Sequence, residues 1–236
     1  MKKTIRAAWF LICSLPKTIF FNFKVLPLRE AIKMPVVIGW NTKIVAAKRG
    51  VLSFPNGCKP GMVRIGWGGS KSVSTDHRGQ VCLYGGHLIV GGRLCMAAGS
   101  TLDCSGEMRI GDNFSSNKNA FLSCSKEVTI GNDVMLGWNV QIYDASGHTV
   151  YHKGIAKHSQ APIKVGNHVW LASHSTLLKG AEIGDGSIVA WRSLVTKPIR
   201  QANVLVAGNP AVVKCEDISW GQYNSIAENE AREKYE

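Results

Sequence analysis

The chain has 236 residues, 45% of them hydrophobic, which suffices for one elongated domain with short appendages. Its seven cysteines are scattered without a C-x-x-C, and the odd count argues against a disulfide framework and for a reducing compartment. Residues 1–64 hold twelve Lys and Arg against the single acid Glu30, so they carry +11 of the formal +12, and no nucleic-acid-binding motif accompanies that charge.

Met1 to Pro16 opens like a secretory signal, with Lys2, Lys3 and Arg6 ahead of Ala7-Ala8-Trp9-Phe10-Leu11-Ile12-Cys13. No A-x-A-like cleavage site follows, Lys17 interrupts the run, and the stretch is far shorter than the roughly 20 residues that span a bilayer. Neither a signal nor a transmembrane helix is expected. Two readings of residues 1–33 stay open. Aromatic and aliphatic side chains interleaved with lysines suit an anionic membrane surface, and they equally suit a cap over the end of a repeat domain. The basic apolar extension is drawn at residues 1–64.

The domain that follows is placed at 65–212, and its beat is clearest near the end. An aliphatic residue returns every six positions at Val165, Leu171, Leu177, Ile183, Val189 and Val195. The same register appears in Ile130-Gly131, Leu136-Gly137 and Ile142, and earlier in Ile110-Gly111 and Leu122. Helices repeat near 3.6 and half-buried strands at 2, so a period of six means one inward side chain per short flat segment. Three such segments make a triangular turn of about 18 residues whose strands stack at roughly 4.8 Å, a parallel β-helix. A β-sandwich would instead show period-two alternation between turns. Spacings of eight, as from Leu94 to Leu102 to Ile110, read as corners with two extra residues. Residues 213–236 form a short tail, expected to be helical.

After Ile142 the next in-register position is residue 148, yet the beat resumes only at Val165. A loop excursion, 143–162, leaves the solenoid and carries three of the seven histidines, His148, His152 and His158. Long loops on rigid scaffolds are disproportionately functional.

Several ordered motifs carry a resemblance. Asn132-Asp133-Val134-Met135-Leu136-Gly137-Trp138-Asn139-Val140, Gly147-His148-Thr149-Val150, and Pro162 to His174 are followed by Ile183-Gly184-Asp185-Gly186-Ser187-Ile188-Val189, Ser193-Leu194-Val195-Thr196-Lys197 and Val206-Ala207-Gly208-Asn209-Pro210-Ala211. Over about residues 105–212 the chain resembles the hexapeptide-repeat acyltransferases. It is most similar to their galactoside and maltose O-acetyltransferase branch, and the N-terminal extension looks like relatives encoded for surface-polysaccharide synthesis. The resemblance implies a left-handed parallel β-helix, a homotrimer, and acetyl-CoA as co-substrate in the groove between subunits, with no metal. Handedness comes from the resemblance alone, because right-handed crossovers are the general rule.

A sugar hydroxyl needs a base with a pKa near 7 to lose its proton as it attacks a thioester, and imidazole fits. The matching loop makes His148 the expected base, with His152 and His158 as candidates for shaping the acceptor site. Asp144, Glu127, Asp133 or a backbone carbonyl would orient it. Asn119, ending the run Ile110 to Asn119, corresponds to the family asparagine that faces the acceptor and the oxyanion. Ser173, Trp191 through its backbone, Thr196 and Lys197 fall where the family contacts the pantetheine arm and phosphates. Two departures stand out: Trp191 and Arg192 replace small residues, and Val212 stands where a basic residue usually follows Pro-Ala, leaving Lys214 or Arg200 to supply that charge.

The expected function is acetyl transfer to a sugar hydroxyl, in the cytoplasm or at the inner face of the cytoplasmic membrane, where a lipid-linked oligosaccharide acceptor suits the basic segment. The alternatives are an N-acetyltransferase acting on an amino sugar or xenobiotic, a zinc enzyme similar to the gamma carbonic anhydrases, and a non-enzymatic scaffold. The zinc class needs three converging histidines, and only His148-x3-His152 and His168-x5-His174 are available without its ligand motif. A scaffold leaves the excursion unexplained.

Overall fold

Short apolar segments broken by Gly, Asn and Asp turns build three parallel sheets in the computed structural model, which describes residues 2–75 and 78–221. The first sheet runs through Val36–Ile38, Val63–Ile65, Leu94–Met96, Phe114–Ser116, Met135–Leu136, Trp170–Leu171, Ile188–Val189 and Leu205–Gly208. The second contains Lys43–Ala46, Gln80–Leu83, Thr101–Cys104, Phe121–Cys124, Gln141–Tyr143, Thr176–Leu178 and Leu194–Val195. Leu52–Ser53, His87–Val90, Glu107–Ile110, Glu127–Ile130, Ile163–Val165, Glu182–Ile183 and Pro198–Ile199 form the third. Each sheet contributes one strand to each of seven coils, and successive coils pair in register except for one shift between Ile44 and Ala46 in the first coil. The six-residue aliphatics all point inward: Val165, Leu171, Leu177, Ile183, Val189 and Val195 are buried.

Three expectations need correction. The solenoid begins at Val36, within the stretch read as an extension, because Val36 and Ile38 pair with Val63 and Ile65 as an ordinary first coil. There the connections are uneven, so only a local alternation of two remains in the sequence and the longer beat is lost. The spacing of eight does not mark enlarged corners either. It lengthens second-sheet strands, so that Leu102 with Cys104 and Leu122 with Cys124 both face inward. Finally, the tail begins as a strand, Ala211–Cys215, folded back antiparallel on Leu205–Gly208. The rest of the predicted helix, 222–236, lies outside the described residues.

Polar ladders hold the corners. Between the third and first sheets, the side chains of Asp112, Asn132, Asn167 and Asp185 each accept the backbone N–H one coil earlier, at 2.6, 2.7, 2.9 and 2.7 Å. Small residues precede them for a steric reason. A Cβ on Gly166 would lie 2.2 Å from Asp185 Oδ1, and one on Gly111 would lie 2.5 Å from Asn132 Oδ1.

The first coil would leave an open strand edge. Helix Lys2–Val25 covers it with three buried polar side chains spaced four apart, Ser14, Thr18 and Asn22. Asn22 Nδ2 donates to Val36 O at 2.7 Å and Oδ1 accepts from Val36 N at 3.1 Å; Thr18 Oγ1 accepts from Ile38 N at 3.1 Å, and Ser14 Oγ from Trp40 N at 3.0 Å. Side chains thus replace the missing neighbour strand.

Candidate active site

The excursion leaves the fifth coil immediately after Gln141–Tyr143, and Asp144 anchors it. In the second sheet Leu83, Cys104 and Cys124 form an inward column, and Asp144 occupies the next step of that column. The 18-residue coils beyond it have no matching inward position, so the column ends on a buried carboxylate. Its oxygens accept three backbone N–H groups, from Ser125, Lys126 and Glu127, each at 2.7 Å. That satisfies a buried charge with local amides. It also commits Asp144 to the scaffold, so of the candidates for orienting His148 this carboxylate is already engaged. Behind it, hydrogen bonding to the Cys104 sulfur and then burial push the Cys124 thiol up, so it stays protonated.

Beyond Asp144 the excursion is tied at its base. Ala145 bridges Gln160, Ser146 N donates to Ser159 O at 2.7 Å, and Lys179 Nζ donates to Ser146 Oγ at 2.5 Å and to His158 O at 2.9 Å. Its outer part is a two-stranded antiparallel ribbon, Tyr151–His152 with Ile155–Ala156. His148 stands exposed between base and ribbon, and it makes no hydrogen bond among the described residues. Beside it a groove of about 490 Å³ opens on the outer face of the second sheet, lined by Phe121, Ser123, Gln141, Tyr143, Ser146 and Gly147. Phe121 and Tyr143 meet edge to face there, their ring centroids 6.3 Å apart.

Asn119 lies on the opposite border of the same sheet, at the corner with the first sheet. Its backbone is left-handed, φ +62°, as it is at Asn139, His174 and Arg192 in the same column, with φ values of +57°, +63° and +56°. Asn119 Nδ2 donates to Ser74 O at 3.3 Å, and its buried Oδ1 has no partner among the described residues. The neighbouring column holds Trp138, Ser173 and Trp191. Ser173 Oγ accepts from Trp138 N at 3.2 Å, and Arg192 N donates to Ser173 O at 3.2 Å. The two indoles meet edge to face at 5.3 Å, and the His174 ring lies 4.9 Å from Trp191. Thr196 and the exposed Lys197 form the far corner of the seventh coil, separated from Trp191 by strand Leu194–Val195.

The predicted residues therefore sort along the two long edges of one sheet. Asn119, Ser173 and Trp191 share one border, while His148, Thr196 and Lys197 share the other. Within one protomer His148 and Asn119 are not brought together, since the strand Phe121–Cys124, roughly 13 Å of extended chain, lies between their corners. Lys214 sits apart, exposed on the closing strand, and Arg200 pairs with Glu182 Oε2 at 2.5 Å. That pairing leaves Lys214 the freer of the two cations. His152 and His158 are exposed on the excursion. Sequence reasoning missed the Trp138–His174–Trp191 cluster, although the beat contains it: Trp138 and Trp191 stand two places, and His174 three, after an in-register aliphatic.

No protein-family model matches the chain. Over 109 residues it is 38% identical to a galactoside O-acetyltransferase of Escherichia coli K12, covering 45% of this chain and 52% of that protein. Over 52 residues it is 48% identical to an E. coli K12 protein named for acetyl transfer in colanic acid biosynthesis, covering 22% of this chain and 28% of that one. The solved maltose O-acetyltransferase of Clostridium difficile 630 is 31% identical, with a TM-score of 0.42 over 48% of this chain and 60% of that one. The chain spans about half the length of the first curated relatives it matches. By sequence it resembles the hexapeptide-repeat acyltransferases, galactoside and maltose O-acetyltransferases among them, and its three-sheet coil is the parallel β-helix that this resemblance implies.

Proposed function

We propose that this chain transfers an acetyl group from acetyl-CoA to a hydroxyl of a sugar, in the synthesis of a bacterial surface polysaccharide. The placement of His148 carries the reading: a rigidly rooted excursion holds an exposed imidazole beside a groove with an aromatic wall. Aromatic edges and faces suit the C–H surfaces of a sugar, and the hydroxyls of Ser123 and Ser146 with the Gln141 amide suit its oxygens.

His148 accepts the proton of the sugar hydroxyl as its oxygen attacks the thioester carbonyl. The tetrahedral oxyanion is met by an amide donor, Asn119, and by backbone N–H groups, and the thiolate of CoA leaves and takes up the proton. Because His148 and Asn119 stand on opposite borders of one sheet, the site is completed by a second copy, as in a trimer whose grooves run between neighbours. Ser173 and the Trp191 backbone hold the pantetheine arm, and Thr196, Lys197 and Lys214 meet its phosphates. No metal takes part. The galactoside-named and colanic-acid-named relatives support a sugar acceptor, and the basic N-terminal end supports action at the inner face of the cytoplasmic membrane.

Thiol release from acetyl-CoA, followed across a panel of sugars, amino sugars and nucleotide sugars, tests the proposal. Turnover with a hydroxyl acceptor that falls at least a hundredfold in His148→Ala is expected. Unchanged turnover in that variant sinks the mechanism, and activity confined to amines makes the chain an N-acetyltransferase. A monomer by light scattering overturns the shared site.

A further inference from the structure

The N-terminal helix is amphipathic with its polar face buried. Ser14, Thr18 and Asn22 are spent on the edge of the first coil. At 100° per residue the opposite face is made by Trp9, Ile12, Pro16, Ile19, Phe20 and Phe23. None of these is polar, and the large ones stand open, from 41% exposed at Phe23 to 67% at Trp9. Folded surfaces seldom leave such a continuous apolar stripe in water without a use for it. Lys17 does not interrupt it, since its Nζ turns sideways to the carbonyls of Trp40 and Thr42 at 2.6 and 2.8 Å. Leu28 and Ile32, on the next turn of chain, are exposed as well.

The stripe has a basic border. Leu11 shares a hollow with Val37, Pro60, Arg64 and Trp67. Arg64 also borders the next hollow with Arg93, and Arg93 a third one with Lys33 and Lys59, where Asp112 is the one acid against three bases. The first 64 residues contain one acid in all.

We infer that this end of the molecule docks on an anionic lipid surface. The stripe from Trp9 to Phe23 lies among acyl chains at the headgroup boundary, and Lys59, Arg64 and Arg93 meet lipid phosphates. The helix lies flat, and no helix among the described residues is long and apolar enough to cross a membrane. A second copy or a protein partner would also cover apolar side chains, but the basic border favours an anionic sheet of phosphates. The geometry sets an orientation. The polar face meets the coil edge along the stacking direction, so the solenoid stands up from the bilayer and the excursion in the fifth coil sits about 19 Å above the first at ~4.8 Å per coil. This inference holds whatever reaction the excursion serves.

Flotation of the full chain with vesicles tests it. The protein should float with phosphatidylglycerol mixed into phosphatidylcholine and about tenfold less with phosphatidylcholine alone, and added salt should release it. The outward-facing pair Ile12→Asp/Phe23→Asp should lower the bound fraction at least about tenfold with unchanged thermal unfolding, because it leaves the capping face intact. Lys59→Gln/Arg64→Gln, which does not touch the helix, should flatten the salt dependence. Failure of the wild type to float, equal flotation of the first pair, or an undiminished salt dependence in the second overturns the inference. So does a dimer formed without lipid that Ile12→Asp/Phe23→Asp dissociates, which assigns the stripe to a second copy.

Discussion

Among the described residues two stretches that leave the coil, 66–75 and 144–162, behave in opposite ways. The first follows strand Val63–Ile65 and lies down along a corner. Ser70 N donates to Asn117 Oδ1 at 2.9 Å, Lys118 Nζ to Val73 O at 2.7 Å, and Asn119 Nδ2 to Ser74 O at 3.3 Å. It is a strap that spends its polar groups on the scaffold. The second is bound, among the described residues, only at its root, by Asp144, Gln160 and Lys179, and holds its tip in solvent. A solenoid tolerates both because each coil needs only its neighbours. Insertion length alone therefore does not mark function; what matters is whether the inserted residues bond back.

The sharpest break of that contrast is His148→Ala. An exposed ring without partners adds little to stability, so thermal unfolding should stay within about 0.5 kcal/mol of wild type while kcat falls by about 10²- to 10⁴-fold. A comparable drop in stability would make His148 a structural residue of the arm.

Asp144→Ala should act the other way round. It removes the acceptor of three partly buried amides, which water can reach only in part once the carboxylate is gone, so urea unfolding should show a loss of about 2–4 kcal/mol and activity should fall with it. A variant as stable as wild type would mean that the root of the arm lies elsewhere.

Much of this was legible in the chain. The six-residue beat from Val165 to Val195 specifies the inward column because a solenoid repeats one environment, and the gap between Ile142 and Val165 locates the arm to within a residue or two. The strap was not legible. Residues 66–75 are rich in Gly and Ser and lie where the beat is already lost, so nothing in the spacing distinguishes them from an end cap. The inward turn of Asp144 is hidden for a different reason. Proximity in sequence makes it only one of several candidates to orient His148, and nothing in the spacing shows that the column of Leu83, Cys104 and Cys124 turns its carboxylate inward. The helix was half legible: its composition fitted both a membrane surface and a cap, and only the position of Ser14, Thr18 and Asn22 against Val36–Ile38 assigns the polar face to the cap.

Asn119 sits under the strap, so its substitution separates the two insertions. Asn119→Ala should lower kcat by about 10²- to 10³-fold if its amide meets the oxyanion. Since Nδ2 already donates to Ser74 O, turnover requires that 3.3 Å bond to be exchanged or shared. A loss seen only in stability, with kcat unchanged, would leave Asn119 as a fastening of the strap and hand the oxyanion to backbone amides.

The smallest effect falls on the root of the arm. Lys179 stands on the sixth coil and clamps the arm from the following coil through Ser146 and His158. Lys179→Met keeps the aliphatic stem and removes both bonds, which are exposed and therefore worth about 1 kcal/mol together. Global stability should barely change, but amide exchange should quicken across residues 145–160 and stay as it was across 66–75. If the arm works by holding His148 in place, a looser root spreads the imidazole over more orientations, and kcat should fall a few-fold while KM for acetyl-CoA stays put. Faster exchange with undiminished kcat would show that the arm is positioned by the neighbouring subunit rather than by its own root.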